Sequence, residues 1–158
     1  NVNIVIGSLD KDLMQCIHGN KVIMYSTRHK SYIRERDVFE KYGIKPKQIP
    51  DFLAIVGDNA DGYPGMKGIG EKTASQLLNM HKNIDEIYSN RDKWSKKIRS
   101  GERHSETIGN NFKLLKLYKE LSTLKTDVKV SDDLSSYKVK NINKRGLQIF
   151  SDKYSLNL

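Results

Sequence analysis

The sequence predicts an α/β protein in which the end of a small sheet is followed by a mainly helical region. Residues 2–8, VNIVIGS, are rich in β-branched residues and bounded by glycine, which is typical of a buried strand. From residue 36 onward, apolar residues recur at helical spacing in several segments, and glycine, proline or asparagine separates these segments. Strands are therefore expected near the start of the chain and helices over the rest of it.

Composition narrows the class of partner. A chain of 158 residues suits one compact domain, or one domain with a short appendage. Lys and Arg number 28 against 19 Asp and Glu, and this net charge of +9 favours a nucleic acid, although a lysine-rich protein without such a partner fits the charge as well. Cys16 is the single cysteine, which excludes an internal disulfide and favours a reducing, intracellular compartment. We expect no membrane partner, because no segment reaches the roughly 18 apolar residues of a membrane span, and we expect no signal peptide, because the sequence opens inside a strand-like segment.

Two carboxylates follow the first strand directly. Residues 9–17, LDKDLMQCI, suit a short helix with Leu13, Cys16 and Ile17 on one face. A strand that runs into a helix places Asp10 and Asp12 at the carboxyl end of the strand, where open α/β sheets build their sites. Considered alone, Asp10 is most simply the N-cap of that helix.

The next elements are short. Residues 22–26 and 31–34 suit two strands around a polar turn, which predicts a hairpin at the sheet edge. Residues 36–42 suit an amphipathic helix with Val38, Phe39 and Tyr42 on its apolar face, ended by Gly43. A helix over residues 51–56 then leads into the most informative stretch of the chain.

That stretch is residues 57–78, GDNADGYPGMKGIGEKTASQLL. Asp58 and Asp61 lie three residues apart in a turn-rich segment, where their carboxylates can converge on a hard divalent cation such as Mg²⁺. As an alternative, both serve as ordinary turn or cap residues in a helix–hairpin–helix that merely binds DNA.

The second half of this stretch suits a phosphate-binding hairpin. Three glycines lead into a helix over residues 71–78, and a glycine-rich hairpin at a helix N-terminus offers free N–H groups to a phosphate. Lys67 and Lys72 flank this hairpin and can add charge. Metal ligands beside a phosphate-binding hairpin indicate phosphodiester chemistry.

Helices continue to the end of the chain. We expect one over residues 84–88 with Asn83 as its N-cap, and one over residues 91–99, whose basic run either follows a phosphate strand or is a solvated face. A single helix is expected over residues 105–124 and a last one over residues 144–154. The apolar stripe of the long helix is interpreted as core rather than as a base-stacking surface, and it comprises Ile108, Phe112, Leu115, Tyr118 and Leu121.

Residues 57–78 resemble the helix–three-turn–helix signature of the structure-specific 5′-nucleases. These are the 5′→3′ exonuclease domains of bacterial-type DNA polymerase I, their stand-alone relatives and, more distantly, the flap endonucleases. The matching pattern is G-D-x-x-D-x-x-P-G-x-K-G-I-G-x-K-T-A-x-x-L-L. The family's D-x-D-L-x-Q is matched upstream by Asp10, Asp12, Leu13 and Gln15, although Leu9 stands where the family usually has a small residue.

The resemblance implies a fold: the end of a PIN-like (resolvase-like) parallel sheet over residues 1–34, a helix–three-turn–helix (SAM-like) DNA-binding region over 35–125, and a C-terminal return segment and helix over 126–158. It also implies that two metal ions, Mg²⁺ or Mn²⁺, hydrolyse DNA phosphodiesters at 5′ flaps or in nicked or branched duplex. A K⁺ ion would sit in the hairpin. The implied catalytic metal ligands are Asp10, Asp12, Asp58 and Asp61, and the implied DNA-binding residues are Lys67, Gly68, Ile69, Gly70, Lys72 and Thr73.

In this family the carboxylates for the first metal precede the point where the chain begins. The resemblance therefore implies a chain that is catalytically incomplete alone, with uncovered apolar surface on Ile4 and Ile6. A missing N-terminal portion would complete it, and the parent would be a stand-alone nuclease or a polymerase fusion. The alternative functions are a non-catalytic duplex DNA-binding module and a basic interaction domain with fortuitous similarity.

Overall fold

A computed structural model describes residues 2–156 of the chain. These residues form two compact units that divide after Leu124, and each is described by itself. The first unit contains a three-stranded sheet and seven α-helices, and its mixed α/β class is the one predicted from the sequence. Among the residues described, none of the helices is long and apolar enough to cross a membrane.

The sheet is built from β1 (Ile4–Gly7), β2 (Val22–Ser26) and β3 (Ser31–Ile33), in that order. β1 and β2 are parallel, and β2 and β3 form the predicted antiparallel hairpin. The prediction that β1 is a buried strand is wrong, because Ile4 is 49% and Val5 is 53% exposed. The reason is that β1 is an edge strand here. The predicted uncovered apolar surface is found at Ile4, whereas Ile6 packs against the core.

The helices surround one central helix. α1 (Glu35–Tyr42) ends at Gly43 as predicted, with a φ of 66° there, and α2 (Ile49–Val56) follows a short 3₁₀ turn. Every residue of α2 except Val56 is buried, so this helix forms the centre of the core. The others are α3 (Glu71–Met80), α4 (Ile84–Ser89), α5 (Arg91–Trp94), α6 (Gly101–Asn110) and α7 (Phe112–Ser122).

Two predicted helices differ from the structure. Over residues 91–99 the α-helix is only the four residues of α5, and Trp94 and Ile98 anchor the following turns in the core. Over residues 105–124 there are two helices, which break at Asn111 with φ −116° and ψ 20°. Glycine and asparagine at positions 109–111 are poor helix formers and explain the break.

The predicted apolar faces are only partly buried. Ile108, Leu115 and Tyr118 lie in the core, as interpreted from the sequence, but Leu121 is 61% exposed. Phe39, placed on the inner face of α1 by its spacing, is likewise 56% exposed.

The second unit contains a 3₁₀ turn, Leu134–Tyr137, and α8 (Lys144–Tyr154), whose bounds match the helix predicted for this end of the chain. The Asn143 side chain caps α8 by accepting a hydrogen bond from the Gly146 N–H, at 2.9 Å.

Candidate metal centre

A tight loop after α2 carries two of the predicted carboxylates. The backbones of Asp58 and Tyr63 pair across it, with Asp58 N–H donating to Tyr63 O at 2.8 Å and Tyr63 N–H to Asp58 O at 3.1 Å. Gly57 has a φ of 88°, and a Cβ added there would lie 2.5 Å from the Pro64 carbonyl carbon. Glycine is needed here because the chain both adopts a left-handed conformation and crosses itself closely.

Asp58 is buried beneath this loop and is held from both sides. Its Oδ1 accepts a hydrogen bond from the Ala60 N–H at 2.9 Å, and its Oδ2 lies 2.8 Å from the Lys11 ammonium. The side chain is 2% exposed, whereas that of Lys11 is 36% exposed. The Lys11 ammonium is therefore the counter-charge of a buried carboxylate and remains accessible to solvent.

Asp12, Asp58 and Asp61 converge at the carboxyl end of β1. Each offers one carboxylate oxygen, and the three oxygens lie within 4.8 Å of one another. Asp61 is exposed and Asp12 is half-buried, so the group is reachable from solvent. Within residues 2–156 the structure contains no second cluster of three potential ligands of this kind.

The electrostatics of the group suit a cation. The pKa of Asp12 is raised to about 6, chiefly by burial and also by the nearby carboxylates of Asp10, Asp61 and Asp58, against the lowering effect of Lys11. Asp12 Oδ1 is also buried without a hydrogen-bond partner in the described structure. A divalent cation would satisfy that oxygen and offset the mutual repulsion, and carboxylate oxygens are the ligands that Mg²⁺ prefers. The residues therefore fit such an ion.

Asp10 lies beside the group but is not one of the three converging residues. Its Oδ1 accepts a hydrogen bond from the Asp12 N–H at 2.9 Å and caps the 3₁₀ helix Lys11–Cys16, the simple role considered for Asp10 alone. It is still near enough to raise the pKa of Asp12. Its predicted role as a metal ligand remains a prediction.

The predicted DNA-binding residues form a hairpin that leads into α3. Lys67, Gly68, Gly70 and Lys72 are exposed, whereas Ile69 is buried. The hairpin is tied to the core by Met66 N–H, which donates to Ile55 O at 2.7 Å, and it closes through Ile69 N–H to Met66 O at 3.0 Å. The first N–H groups of α3, around Lys72 and Thr73, have no intrahelical acceptor and face the exposed end of the helix.

Two residues at the centre were missed by reasoning from the sequence. Lys11 stands between two aspartates, and its contact with Asp58 could not be read from its position in the chain. Tyr63 is 5% exposed, but its place in a turn-rich segment carried no signal of burial.

An α/β fold with a carboxylate cluster and a glycine-rich hairpin that leads into a helix is the arrangement that the sequence predicted for the 5′-nuclease class. A family model described as "5′-3′ exonuclease, C-terminal SAM fold" matches residues 44–145. The chain belongs to this 5′-3′ exonuclease family, as its motif suggested.

Two kinds of protein are similar to this chain in sequence, 5′-3′ exonucleases and DNA polymerases I. The chain is 33% identical over 139 residues to a 5′-3′ exonuclease of Aquifex aeolicus, covering 88% of this chain and 45% of the relative. It is 32% identical over 166 residues to a 5′-3′ exonuclease of Mycoplasma pneumoniae, covering 99% and 53%. A DNA polymerase I of Caldicellulosiruptor bescii is 36% identical over 151 residues, covering 92% of this chain and 17% of the polymerase. The chain thus spans about half the length of the exonucleases and a small part of the polymerase.

Solved structures show the same fold. The chain superposes on the bacteriophage T5 D15 flap endonuclease, in a pseudo-enzyme–product complex with DNA and metal ions, with a TM-score of 0.64. The identity is 21%, and the match covers 76% of this chain and 42% of the other. A structure of T5 5′-exonuclease with bound divalent zinc ions gives the same values.

Proposed function

We propose that this chain supplies one part of a metal-dependent, structure-specific 5′-nuclease that hydrolyses DNA phosphodiesters. The observation that carries the proposal is the convergence of Asp12, Asp58 and Asp61 within 4.8 Å, in a chain of the 5′-3′ exonuclease family. The T5 complex with DNA and metal ions supports the same assignment by analogy of fold. Because its substrate would be DNA, the protein would work inside the cell.

Asp12, Asp58 and Asp61 would hold a divalent cation, Mg²⁺ or Mn²⁺, with Asp10 beside them. When bound, the ion supplies Lewis-acid activation of water and stabilisation of the leaving oxygen. For the ion to bind, Asp12 would have to be ionised, as it largely is above pH 6, and Lys11 would have to leave or share Asp58. Ligands for a second ion would come from outside residues 2–156, since no other acidic cluster lies among them.

The hairpin would hold the duplex next to this centre. Lys67 and Lys72 would neutralise phosphates, and the N–H groups of Gly68, Gly70 and Thr73 would donate to phosphate oxygens while buried Ile69 anchors the turn. Such contacts read the backbone rather than the bases, so structure rather than sequence would select the DNA, as 5′ flaps and nicked or branched duplex. Residues 65–70 of the hairpin have no oxygen in their side chains, so backbone carbonyl oxygens would be the ligands of the K⁺ ion proposed there.

The proposal is tested by Mg²⁺-dependent cleavage of a 5′-flap DNA. Asp58→Asn keeps the oxygen that accepts from Ala60 N–H but removes the charge, so we expect it to abolish cleavage. Asp85→Asn, an exposed carboxylate on α4, serves as the matched control and should leave cleavage unchanged. Measurable cleavage that is equal for the wild type and Asp58→Asn, or an equal affinity of the two proteins for Mn²⁺, would contradict the proposal.

A second candidate, a duplex DNA-binding module without catalysis, is favoured by one observation. The described residues contain a single group of three carboxylates, and a lysine already neutralises one of them. Salt-sensitive binding of the flap DNA by a chain that binds neither Mg²⁺ nor Mn²⁺ would support this candidate over the first.

A further inference from the structure

Two depressions adjoin each other at the C-terminal end of α3, and Met80 and His81 line both of them. The first has a volume of about 430 Å³ and lies between this end of α3 and the residues that precede α2. The second has a volume of about 300 Å³ and lies beside Trp94 of α5. Because the two depressions share a wall, they form one continuous concave surface.

Lysine is concentrated in this surface. Five of the twelve residues that line the two depressions are lysines, whereas Lys and Arg together make up only 28 of the 158 residues of the chain. Glu86 is the one acidic residue among the twelve, so the lining carries a net charge of +4, out of +9 for the chain. We call the five lysines the basic surface, and they are Lys45, Lys47, Lys82, Lys93 and Lys97.

The fold does not use these lysines as internal partners. All five are exposed, and within residues 2–156 none of their ammonium groups pairs with a carboxylate. The end of α3 is already served by Gln48, whose Nε2 donates to the carbonyl oxygens of Leu78 at 2.8 Å and Lys82 at 3.2 Å. Glu86 accepts a hydrogen bond from the Lys82 backbone N–H at 3.1 Å. Like charges that no internal group neutralises repel one another, so the basic surface fits an external polyanion.

The basic surface is separate from the hairpin that carries Lys67 and Lys72. The hairpin leads into the N-terminal end of α3, and the basic surface lies at the other end of the same helix. The ten residues of α3, at a rise of 1.5 Å each, put about 15 Å between the two ends. Duplex DNA carries one negative charge per roughly 1.7 Å of its axis, so a DNA that extends past the hairpin presents further phosphates over such a distance.

We propose that the basic surface binds the phosphate backbone of DNA outside the stretch held by the hairpin. This inference rests on the proposed function, because DNA is the polyanion on which that function acts, and it adds a second contact surface to the hairpin. Lys93 and Lys97 belong to the basic run of residues 91–99, which follows a phosphate strand in this proposal and is not simply a solvated face. Lysine contacts to phosphates read no bases, so the second surface strengthens binding without adding sequence preference.

The test measures the affinity for a 5′-flap DNA by fluorescence anisotropy at several salt concentrations, with divalent cations removed so that the DNA stays intact. Lys82→Gln combined with Lys97→Gln removes one charge from each depression, and we expect the slope of log affinity against log salt to fall by about 2. Lys21→Gln combined with Lys113→Gln removes two exposed lysines elsewhere and is the matched control, with little expected change. Adding Lys67→Ala and Lys72→Ala to the first variant should lower the slope further, because separate contacts add.

Three outcomes would overturn the inference. The first is a change in slope for Lys82→Gln with Lys97→Gln that is no larger than in the control; a loss in the hairpin variant alone would then leave DNA binding by the hairpin standing. The second is a combined variant that loses no more than the hairpin variant, since one set of phosphates would account for both. The third is a Lys82→Gln, Lys97→Gln protein that loses binding to poly-glutamate but not to DNA, which would assign the surface to an acidic protein segment. A wild type that does not bind the flap DNA would overturn the proposed function as well.

Discussion

The side chain of Gln15 connects the 3₁₀ helix that carries Asp12 to Ser122, which lies 107 positions after Gln15 in the chain. Its Nε2 donates to the carbonyl oxygens of Asp12 and Ser122, at 2.8 Å each. Its Oε1 accepts a hydrogen bond from the Leu124 N–H at 3.1 Å. One carboxamide thus ties the segment that carries Asp12 to the end of α7, so the position of Asp12 depends on a helix far along the sequence.

Replacing Gln15 by Leu should therefore affect both stability and metal binding. The variant leaves the Ser122 carbonyl and the Leu124 N–H without their partner, so we expect a loss of about 2–3 kcal/mol in the free energy of unfolding. Mn²⁺ affinity should fall as well, because Asp12 is no longer held. Urea denaturation and calorimetry measure the two effects. Gln148→Leu, whose side chain pairs with exposed Asp152, is the control and should change stability by less than about 0.5 kcal/mol.

A buried ion pair stabilises the same face of the core. Asp51 is 4% exposed, and its Oδ1 lies 2.7 Å from the Lys119 ammonium and accepts a hydrogen bond from the Ile84 N–H at 2.9 Å. Asp51→Ala should destabilise the protein by about 3–5 kcal/mol, because it leaves a partly buried cation and a buried N–H unpaired. Urea denaturation provides the measurement.

The exposed pair between Lys116 and Asp85, at 3.3 Å, connects α7 to α4 and supplies the control. Asp85→Ala should cost no more than about 1 kcal/mol, since solvent screens this pair. Equal losses in the two variants would show that burial does not determine the contribution of Asp51.

Asp12 should make the stability of the metal-free protein depend on pH. Its pKa in the folded state is about 6, above the ordinary value of 3.8, so the folded protein binds the proton more tightly than the unfolded chain does. Stability from this residue is therefore lost as the pH rises from about 4 to about 6. Relative to wild type, Asp12→Asn should become more stable across this range and keep that advantage above it. Urea midpoints across the range measure the difference, and a constant difference would contradict the raised pKa.

The same proton competes with the metal. Below pH 6, Mn²⁺ must displace it, so affinity should fall roughly tenfold between pH 7 and pH 5. Calorimetry at the two pH values checks this expectation.

Lys11 should oppose metal binding. Its ammonium lies 2.8 Å from Asp58, and it must leave or share that carboxylate when a cation binds. Lys11→Gln should raise Mn²⁺ affinity severalfold, most clearly at low salt, because a positive charge next to the ion is removed. Lys21→Gln changes an exposed lysine outside the centre and should have little effect. An affinity unchanged by Lys11→Gln would mean that the lysine leaves the site at no cost.

The hairpin lysines should determine how DNA binding responds to salt. If Lys67 and Lys72 each contact one phosphate, replacing both by Ala should lower the slope of log affinity against log salt by about 2. Fluorescence anisotropy with a duplex DNA measures this slope. Lys21→Ala with Lys113→Ala removes the same charge outside the hairpin, and an equal change in slope for that pair would argue against a specific grip.

Features set by local interactions could be predicted from the sequence. The end of α1 at Gly43, the Asn83 cap of α4 and the bounds of α8 follow from residues within a turn or two of each position. The sequence did not predict the break between α6 and α7, because the apolar spacing continues through it. The glycine and asparagines at positions 109–111 are poor helix formers, but the spacing outweighed them in the prediction. The prediction that β1 is buried was also wrong, because burial depends on which segments pack beside a strand and not on the strand's own residues.

The sequence by itself determined the fold class, most of the helices and, through a long motif, the family, and it predicted the residues that would bear the family's chemistry. Tertiary structure decided which of these residues meet: Asp12 joins Asp58 and Asp61, while Asp10 caps a helix beside them. It also brought Lys11 and Tyr63 into the centre. The physical reason is that helix propensity and capping act within a few residues, whereas distances between carboxylates, burial and pKa arise only when distant segments pack together.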